Sequence, residues 1–86
     1  MRPYWISFLD APAATPLRLG MGVTARDEDD ARGLAAEAVP GVAIAALRIV
    51  IDADELEQNH VVPNMGNLFK RGIWFPLGYE SINDRP

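Results

Sequence analysis

The stretch NHVVPNMGNLFKRGIWFPLGY, residues 59–79, decides how the rest of this 86-residue chain folds. It holds the single histidine of the chain and most of its large aromatic side chains. The sequence PNMG at residues 63–66 predicts a tight turn, because proline, asparagine and glycine favour turn conformations. The apolar run at residues 73–77, bounded by two glycines, is typical of a strand. Pro76 favours an edge position or a strand end.

The length and composition indicate a single domain over residues 1–86. A chain of this size buries roughly 60% of its unfolded surface, so its core is small. It contains no cysteine, which excludes disulfides and thiolate chemistry. No signal peptide is recognisable at the start, and no run approaches the ~18 apolar residues of a membrane-spanning helix. We therefore expect a cytoplasmic protein with no membrane partner.

The charge is distributed unevenly along the chain. Residues 27–57 carry a formal charge of −7 and the remaining residues +3, for a net charge of −4. An acidic surface repels the phosphate backbone, so we expect no nucleic-acid partner. The charge favours a protein partner that is itself basic.

Two strands are predicted before the helix. Residues 4–9 are rich in strand-forming side chains, and residues 17–24 alternate between apolar and small or polar side chains. The apolar face of the second strand consists of Leu17, Leu19, Met21 and Val23. Its other face is bare at Gly20 and Gly22, and glycine within a strand often marks the close approach of a large ring. If the apolar face meets the helix, we expect a tryptophan, Trp5 or Trp74, to pack over these glycines.

The helix is predicted from its caps and its periodicity. Asp27 can accept hydrogen bonds from the free N–H groups of the first turn, and three more acids follow it, at residues 28–30. The apolar stripe of the helix consists of Ala31, Leu34, Ala35, Ala38 and Val39. The sequence Pro-Gly at residues 40–41 ends the helix.

The predicted fold is α+β, with the order β-β-α-β-β. The third strand is placed at residues 47–51, followed by a polar loop with room for one helical turn at residues 52–57. A helix between the second and third strands predicts that these two pair in parallel, while the first two form an antiparallel hairpin. We therefore expect a small mixed four-stranded sheet with one helix packed on one face. The aromatic C-terminal stretch or a partner must cover the other face.

The sequence contains no recognisable catalytic motif. No serine lies in a Gly-x-Ser-x-Gly elbow, and no glycine-rich phosphate loop is present. The acids at residues 52–57 lack the glycine and the terminal glutamate of an EF-hand loop, so a solvated loop is the favoured interpretation. His60, the only imidazole, is expected to hydrogen-bond within its loop. We expect no enzyme activity, no metal and no cofactor.

Two acidic clusters and one apolar loop with a basic rim are the candidate partner-binding residues. The loop has the composition of an interface hot spot, although aromatic residues in so small a domain more often form the core. The candidate residues are Asp27, Glu28, Asp29, Asp30, Asp52, Asp54, Glu55, Glu57, Met65, Phe69, Lys70, Arg71 and Trp74.

The segments HVVPNMG at residues 60–66 and RGIWFP at residues 71–76, together with GVTA at residues 22–25, also carry a resemblance. They resemble a group of short uncharacterised bacterial proteins that share an HVxPNMG…RGxWFP segment. The likeness covers most of the chain and is concentrated in its last third. No activity is attached to that group, so the resemblance implies a recurrent fold.

Three functions remain open at this point. The first is a non-enzymatic protein-binding module, such as an immunity or inhibitor protein directed against a basic partner. The second is a structural protein that forms a homodimer through the open face of the sheet. The third is an enzyme or a metal-dependent site around His60.

Overall fold

The computed structural model describes residues 1–9 and 18–76, where four strands form one sheet and a single helix packs on one of its faces. The elements in chain order are β1 (Arg2–Phe8), β2 (Met21–Ala25), α1 (Glu28–Ala38), β3 (Ile44–Ile49) and β4 (Gly72–Phe75). Short 3-10 turns at Ala53–Glu55 and Val62–Asn64 lie between β3 and β4. The predicted α+β class, element order and helix on one face are confirmed. The predictions for Leu17, Leu77 and Tyr79 lie outside the described residues.

The strands have the order β3-β1-β2-β4, and every neighbouring pair is antiparallel. The predicted parallel pairing of the second and third strands is therefore wrong, and the sheet is not mixed. β2 and β3 do run in the same direction, but the crossover passes over β1, which pairs with both of them. β3 is largely exposed, whereas β2 is fully buried and β1 is buried at its centre, so an edge position suits β3 better than a place in the middle of the sheet.

The helix begins and ends where the sequence predicts. The Asp27 carboxylate accepts a hydrogen bond from the Asp30 N–H at 2.8 Å, and the Val39 N–H donates to the Ala35 carbonyl at 2.9 Å. Gly41 then turns the chain with φ +82°, which glycine adopts without strain. The helix has 11 residues. No helix in the described part of the chain is long and apolar enough to cross a membrane.

The apolar side chains form two clusters, one on each face of the sheet. We call the first the helix-face cluster, because α1 covers it. Its buried members are Tyr4, Ile6, Met21, Val23, Ala25, Ala31, Leu34, Ala35, Val39 and Ile73. The alternation of the strands carries their other side chains to the opposite face.

The second, open-face cluster lies on the side of the sheet away from α1. Its buried members are Trp5, Val50, Leu56, Val61, Trp74 and Phe75. The Trp5 ring centroid lies 6.1 Å from that of Trp74 and 5.7 Å from that of Phe75. Half-buried side chains of the loop before β4, among them Met65 and Leu68, pack against these rings. The aromatic stretch thus folds back over the sheet, and the face considered for a homodimer carries the protein's own second core.

A bulge in β4 lets two consecutive aromatic residues share this face. Gly22 pairs with Phe75 and Val23 with Ile73, so Trp74 is an extra residue in the ladder. Without the bulge, alternation would send Phe75 to the same face as Ile73. With it, Ile73 enters the helix-face cluster, while Trp74 and Phe75 both enter the open-face cluster.

Gly22 in β2 and Gly20 just before it lie beneath tryptophan rings, as predicted. An alanine Cβ at Gly22 would lie within 2.5 Å of three atoms of the Trp74 ring, and one at Gly20 would lie 2.7 Å from the Trp5 ring. Gly20 also has φ +120°, which interrupts the alternation before β2 begins. Leu19 consequently packs against the open-face cluster, not on the helix side with Met21 as the alternation predicts.

Candidate functional site

A cleft of about 410 Å³ opens where the strands β1 and β2 meet the loops that flank β3 and β4. We call it the Ile51–Phe69 cleft, after its two most exposed apolar side chains. Its lining residues are Met1, Pro3, Thr24, Val50, Ile51, Asp52, Leu68 and Phe69. They come from all four strands of the sheet or from the segments next to them, so the cleft is a product of the tertiary fold.

Ile51 is 89% exposed, and hydrogen bonds on either side of it fix the direction in which its side chain points. The Val50 N–H donates to the Pro3 carbonyl at 2.9 Å, and the Val50 side chain is buried in the open-face cluster. The next side chain therefore points away from that cluster. The Glu55 carboxylate accepts the N–H groups of Ile51 at 2.9 Å and Asp52 at 3.0 Å, which holds the turn that follows.

Phe69 is 93% exposed and lies on the loop before β4. The Thr24 hydroxyl donates to the Leu68 carbonyl at 2.6 Å, which ties the loop to β2. The Phe69 N–H donates to the Asn67 side-chain oxygen at 2.8 Å. Leu68 packs inward against the open-face cluster, and Phe69 extends outward. These bonds hold the loop immediately before an exposed phenyl ring.

Some acids of the loop at residues 52–57 form hydrogen bonds and ion pairs with groups of the same chain. Glu55 also binds the Arg48 guanidinium at 2.6 Å. The backbone N–H groups of Asp52 and Ile51, followed by Arg48, hold the pKa of Glu55 below its ordinary value. Glu57 accepts from the backbone N–H of Asn59 at 2.6 Å and contacts the His60 Nδ1 at 2.8 Å. The pKa of Glu57 is also lowered, chiefly by the Asn59 N–H.

Of the four acids at the start of α1, Asp27 and Asp30 accept hydrogen bonds within the chain, whereas Glu28 and Asp29 are exposed. Asp27 caps the helix, and Asp30 accepts from the Arg26 N–H at 3.0 Å and from the Arg71 Nε at 2.9 Å. A second bond from the Arg71 guanidinium makes this pair bidentate. These contacts, above all Arg71, hold the pKa of Asp30 far below its ordinary range. The pair ties the start of α1 to the loop before β4.

We expect Asp30→Asn to destabilise the fold in a pH-dependent way. The Asp30 pKa is lower in the folded than in the unfolded chain, so its contribution is complete above pH ~4 and is lost as the pH falls below that value. At neutral pH the variant should lose about 1–2 kcal/mol of unfolding free energy, the scale of a partly exposed charged hydrogen bond. Urea titrations from neutral pH to about pH 2 should show the gap between wild type and variant closing. A gap that does not change with pH would contradict the assignment.

The structure brings some of the predicted site residues together and separates others. Asp52 and Phe69 share the cleft, while Asp30 and Arg71 pair with each other. Trp74 is only 2% exposed and lies in the open-face cluster, and Met65 packs half-buried against that cluster. The exposed members of the set are Asp27, Glu28, Asp29, Asp52, Asp54, Glu55, Phe69 and Lys70. Phe69 is therefore the large apolar member of the predicted set that faces solvent.

Sequence reasoning missed Ile51 as a site residue. It ends a nearly continuous apolar run, and such a run does not reveal which of its members faces inward. The parity of the strand would not have found it either. Polar Arg48 shares a face with Val50 and so suggests that Val50 faces solvent, whereas the structure buries Val50 and exposes Ile51.

His60 makes its contacts within its own loop. Its imidazole pairs with Glu57, and its carbonyl accepts from the Asn64 side-chain amide at 2.8 Å. Within residues 1–9 and 18–76 no three His, Cys, Asp or Glu side chains form a group that could hold a metal ion. The alternative of a metal-dependent or catalytic site at His60 remains a prediction, and the geometry of its loop lends it no support.

Similarity to known proteins adds nothing to this geometry. Comparisons with protein families, with curated proteins and with solved structures found no match to this chain.

Proposed function

We propose that the protein is a non-catalytic binding module whose Ile51–Phe69 cleft receives an apolar side chain from a basic protein partner. The observation that carries the proposal is the exposure of Ile51 and Phe69, at 89% and 93%, on the same cleft. Both belong to loops that hydrogen bonds hold in place, so their exposure is built into the local backbone.

Burial of the Ile51 and Phe69 side chains against a partner would contribute to the free energy of binding. Complete burial of an isoleucine or phenylalanine side chain is worth about 1.5–3 kcal/mol each. Anchors of this kind typically dominate small interfaces, with less energetic contacts around them. A preformed cleft also limits the ordering cost that accompanies binding.

The charge around the cleft favours a basic partner. Asp52 lines the cleft, and Asp54 is exposed two residues further along the same loop. Within the described residues the Asp54 carboxylate makes no hydrogen bond or ion pair. Complementary charge speeds the encounter and selects against acidic proteins. An immunity or inhibitor protein that blocks a basic toxin or enzyme is the form of the proposal that this charge favours.

Peptide selection on the immobilised protein tests the proposal without a known partner. We expect a random peptide phage library to yield sequences with a large apolar residue flanked by lysine or arginine. The double variant Ile51→Ser/Phe69→Ser should lose at least about tenfold in affinity for such peptides, while its unfolding free energy changes by no more than about 0.5 kcal/mol.

Leu9→Ser is the matched control, because Leu9 is an apolar side chain that is 55% exposed and does not line the cleft. It should leave peptide affinity unchanged. Asp54→Asn should weaken binding at low salt and have little effect at high salt, where exposed charges are screened. Selected peptides that bind the double variant as well as the wild type would refute the assignment of the cleft.

A further inference from the structure

The two edges of the sheet differ in how they are protected. β4 has four residues, all buried, and its Trp74 carbonyl accepts the Gly66 N–H at 2.6 Å, so the chain's own loop occupies that edge. β3 has six residues, and Ala45, Ala46, Arg48 and Ile49 are exposed. Among the described residues β3 pairs only with β1. Within residues 1–9 and 18–76 no strand pairs with its outer edge.

The backbone of β3 presents outward hydrogen-bonding groups at this edge after Ala45, an extra residue where the ladder to β1 shifts register. The Val50 N–H donates to the Pro3 carbonyl, so Arg48 and Ala46, at intervals of two residues, also direct their backbone groups toward β1. Leu47 and Ile49 direct theirs outward. The free edge ends at Ile51, because the Glu55 carboxylate accepts its N–H.

The side chains of β3 offer little resistance to pairing. Edge strands usually carry lysine, proline, unpaired charges or bulges that discourage the addition of another strand, and the irregularity of β3 is confined to Ala45, near its start. The sequence IAALRI contains one charge, and Glu55 neutralises Arg48 at 2.6 Å. Leu47 and Ile49 share the helix side of the sheet with Tyr4 and Ile6, but α1 packs mainly over β2 and β4. This apolar end of the sheet is therefore left incompletely covered.

We propose that the outer edge of β3 pairs with the same edge of a second copy, in an antiparallel register centred on Leu47. A two-fold axis between the strands makes the interface self-complementary and joins the two sheets into one. This register sets Ala46 opposite Arg48, and the regular pairing ends before Ala45, the extra residue of β3. The neighbouring register, centred on Arg48, would place two arginines directly opposite each other, and like charges in that position are destabilising.

The dimer is independent of the binding function proposed for the cleft. It uses backbone groups of β3, whereas the cleft is built from side chains on the loops and on the start of the sheet. Loss of one should leave the other intact, so Phe69→Ser should remain dimeric. Strand addition by a foreign peptide is the competing use of the same edge.

Light scattering coupled to size-exclusion chromatography tests the dimer. We expect twice the mass of one chain at concentrations approaching roughly 1 mM, where a dimer with a Kd of about 0.1 mM is mostly formed. Ile49→Pro should be monomeric, because it removes an outward N–H that the monomer's ladder to β1 does not use. Ile49→Thr loses apolar area but keeps the N–H, so it should remain dimeric. A wild-type monomer at all concentrations, or a dimeric Ile49→Pro variant, would overturn the proposal.

A crosslinking experiment covers the case in which Ile49→Pro does not fold. The chain contains no cysteine, so single cysteines can be introduced without background. Leu47→Cys places two thiols opposite each other at the axis, with Cβ atoms roughly 5 Å apart, and a short thiol-to-thiol crosslinker should join the two chains. Ala36→Cys, on an exposed position of α1, should give no crosslinked dimer. Equal crosslinking of both variants, or of neither, would count against pairing through β3.

Discussion

Gly22→Ala is expected to destabilise the protein by about 3 kcal/mol, the upper end of the usual range for an overpacked core. The added methyl carbon would lie within 2.5 Å of three atoms of the Trp74 ring, closer than real Cβ contacts allow. The ring cannot easily move away, since it is 2% exposed and the Trp5 ring packs beside it. Thermal unfolding followed by circular dichroism should show the midpoint falling by roughly 10–20 °C.

Gly33→Ala is the matched control for this substitution. A Cβ at Gly33 has no atom within 4 Å beyond its own helix backbone, and the residue is exposed on α1. Alanine is a better helix former than glycine, so this variant should gain about 0.5–1 kcal/mol. Equal and small effects of the two substitutions would show that the tryptophan ring does not lie on Gly22.

Trp74→Ala is expected to cost about 3–5 kcal/mol, the range for removing a large aromatic side chain from a core. The indole joins Trp5, Phe75 and the loop residues of the open-face cluster, and its removal leaves a cavity beneath the loop. Chemical denaturation with urea measures this loss directly. Phe69→Ala serves as control, because an exposed phenyl ring contributes little to folding, and its effect should be within about 0.5 kcal/mol.

Gly22→Ala and Trp74→Ala should be strongly coupled in their effects on the free energy of unfolding. In the Trp74→Ala background the ring that obstructs Gly22→Ala is absent, so the second change should cost much less than it does in the wild type. The double-mutant cycle should return a coupling energy of about 1–3 kcal/mol, as expected for residues in direct contact. Trp74→Phe refines the result, since the buried indole Nε1 has no hydrogen-bond partner in the described structure. Phenylalanine gives up packing there without breaking a hydrogen bond.

Sequence reasoning succeeded where a local pattern has one structural solution. The acids around Asp27, the apolar stripe of α1 and the Pro-Gly at residues 40–41 each act within a turn of the helix, and the helix lies where they place it. The glycines at positions 20 and 22 indicated rings above the strand for a similarly direct reason, because an absent side chain needs something to fill its space. Pro76 indicated the end of an edge strand, and β4 ends just before it.

The pairing of strands was predicted less well, because local patterns specify the direction of a strand better than its neighbour. The helix connection correctly implies that β2 and β3 run the same way. It does not say whether the crossover spans one strand position or two. That choice depends on β1, which has seven residues and pairs on both sides, and on the small, exposed side chains of β3.

The candidate site depended on tertiary detail that the sequence does not display. The acids of the two clusters resemble a docking surface by composition, yet Asp27, Asp30, Glu55 and Glu57 accept backbone or side-chain hydrogen bonds within the chain. The loop aromatics divide between core and surface, with Trp74 inside and Phe69 outside. The exposure of Ile51 could not be predicted, because its neighbours in sequence are equally apolar.

The bulge in β4 couples the unfolding of the helix-face cluster to that of the open-face cluster. One four-residue strand contributes Ile73 to the side covered by the helix and Trp74 and Phe75 to the other side, so neither half can loosen without displacing the same backbone. Unfolding of either cluster should therefore unfold the whole molecule in a single two-state transition. A partly folded intermediate, with α1 packed on the sheet and the open-face cluster exposed, should not be populated.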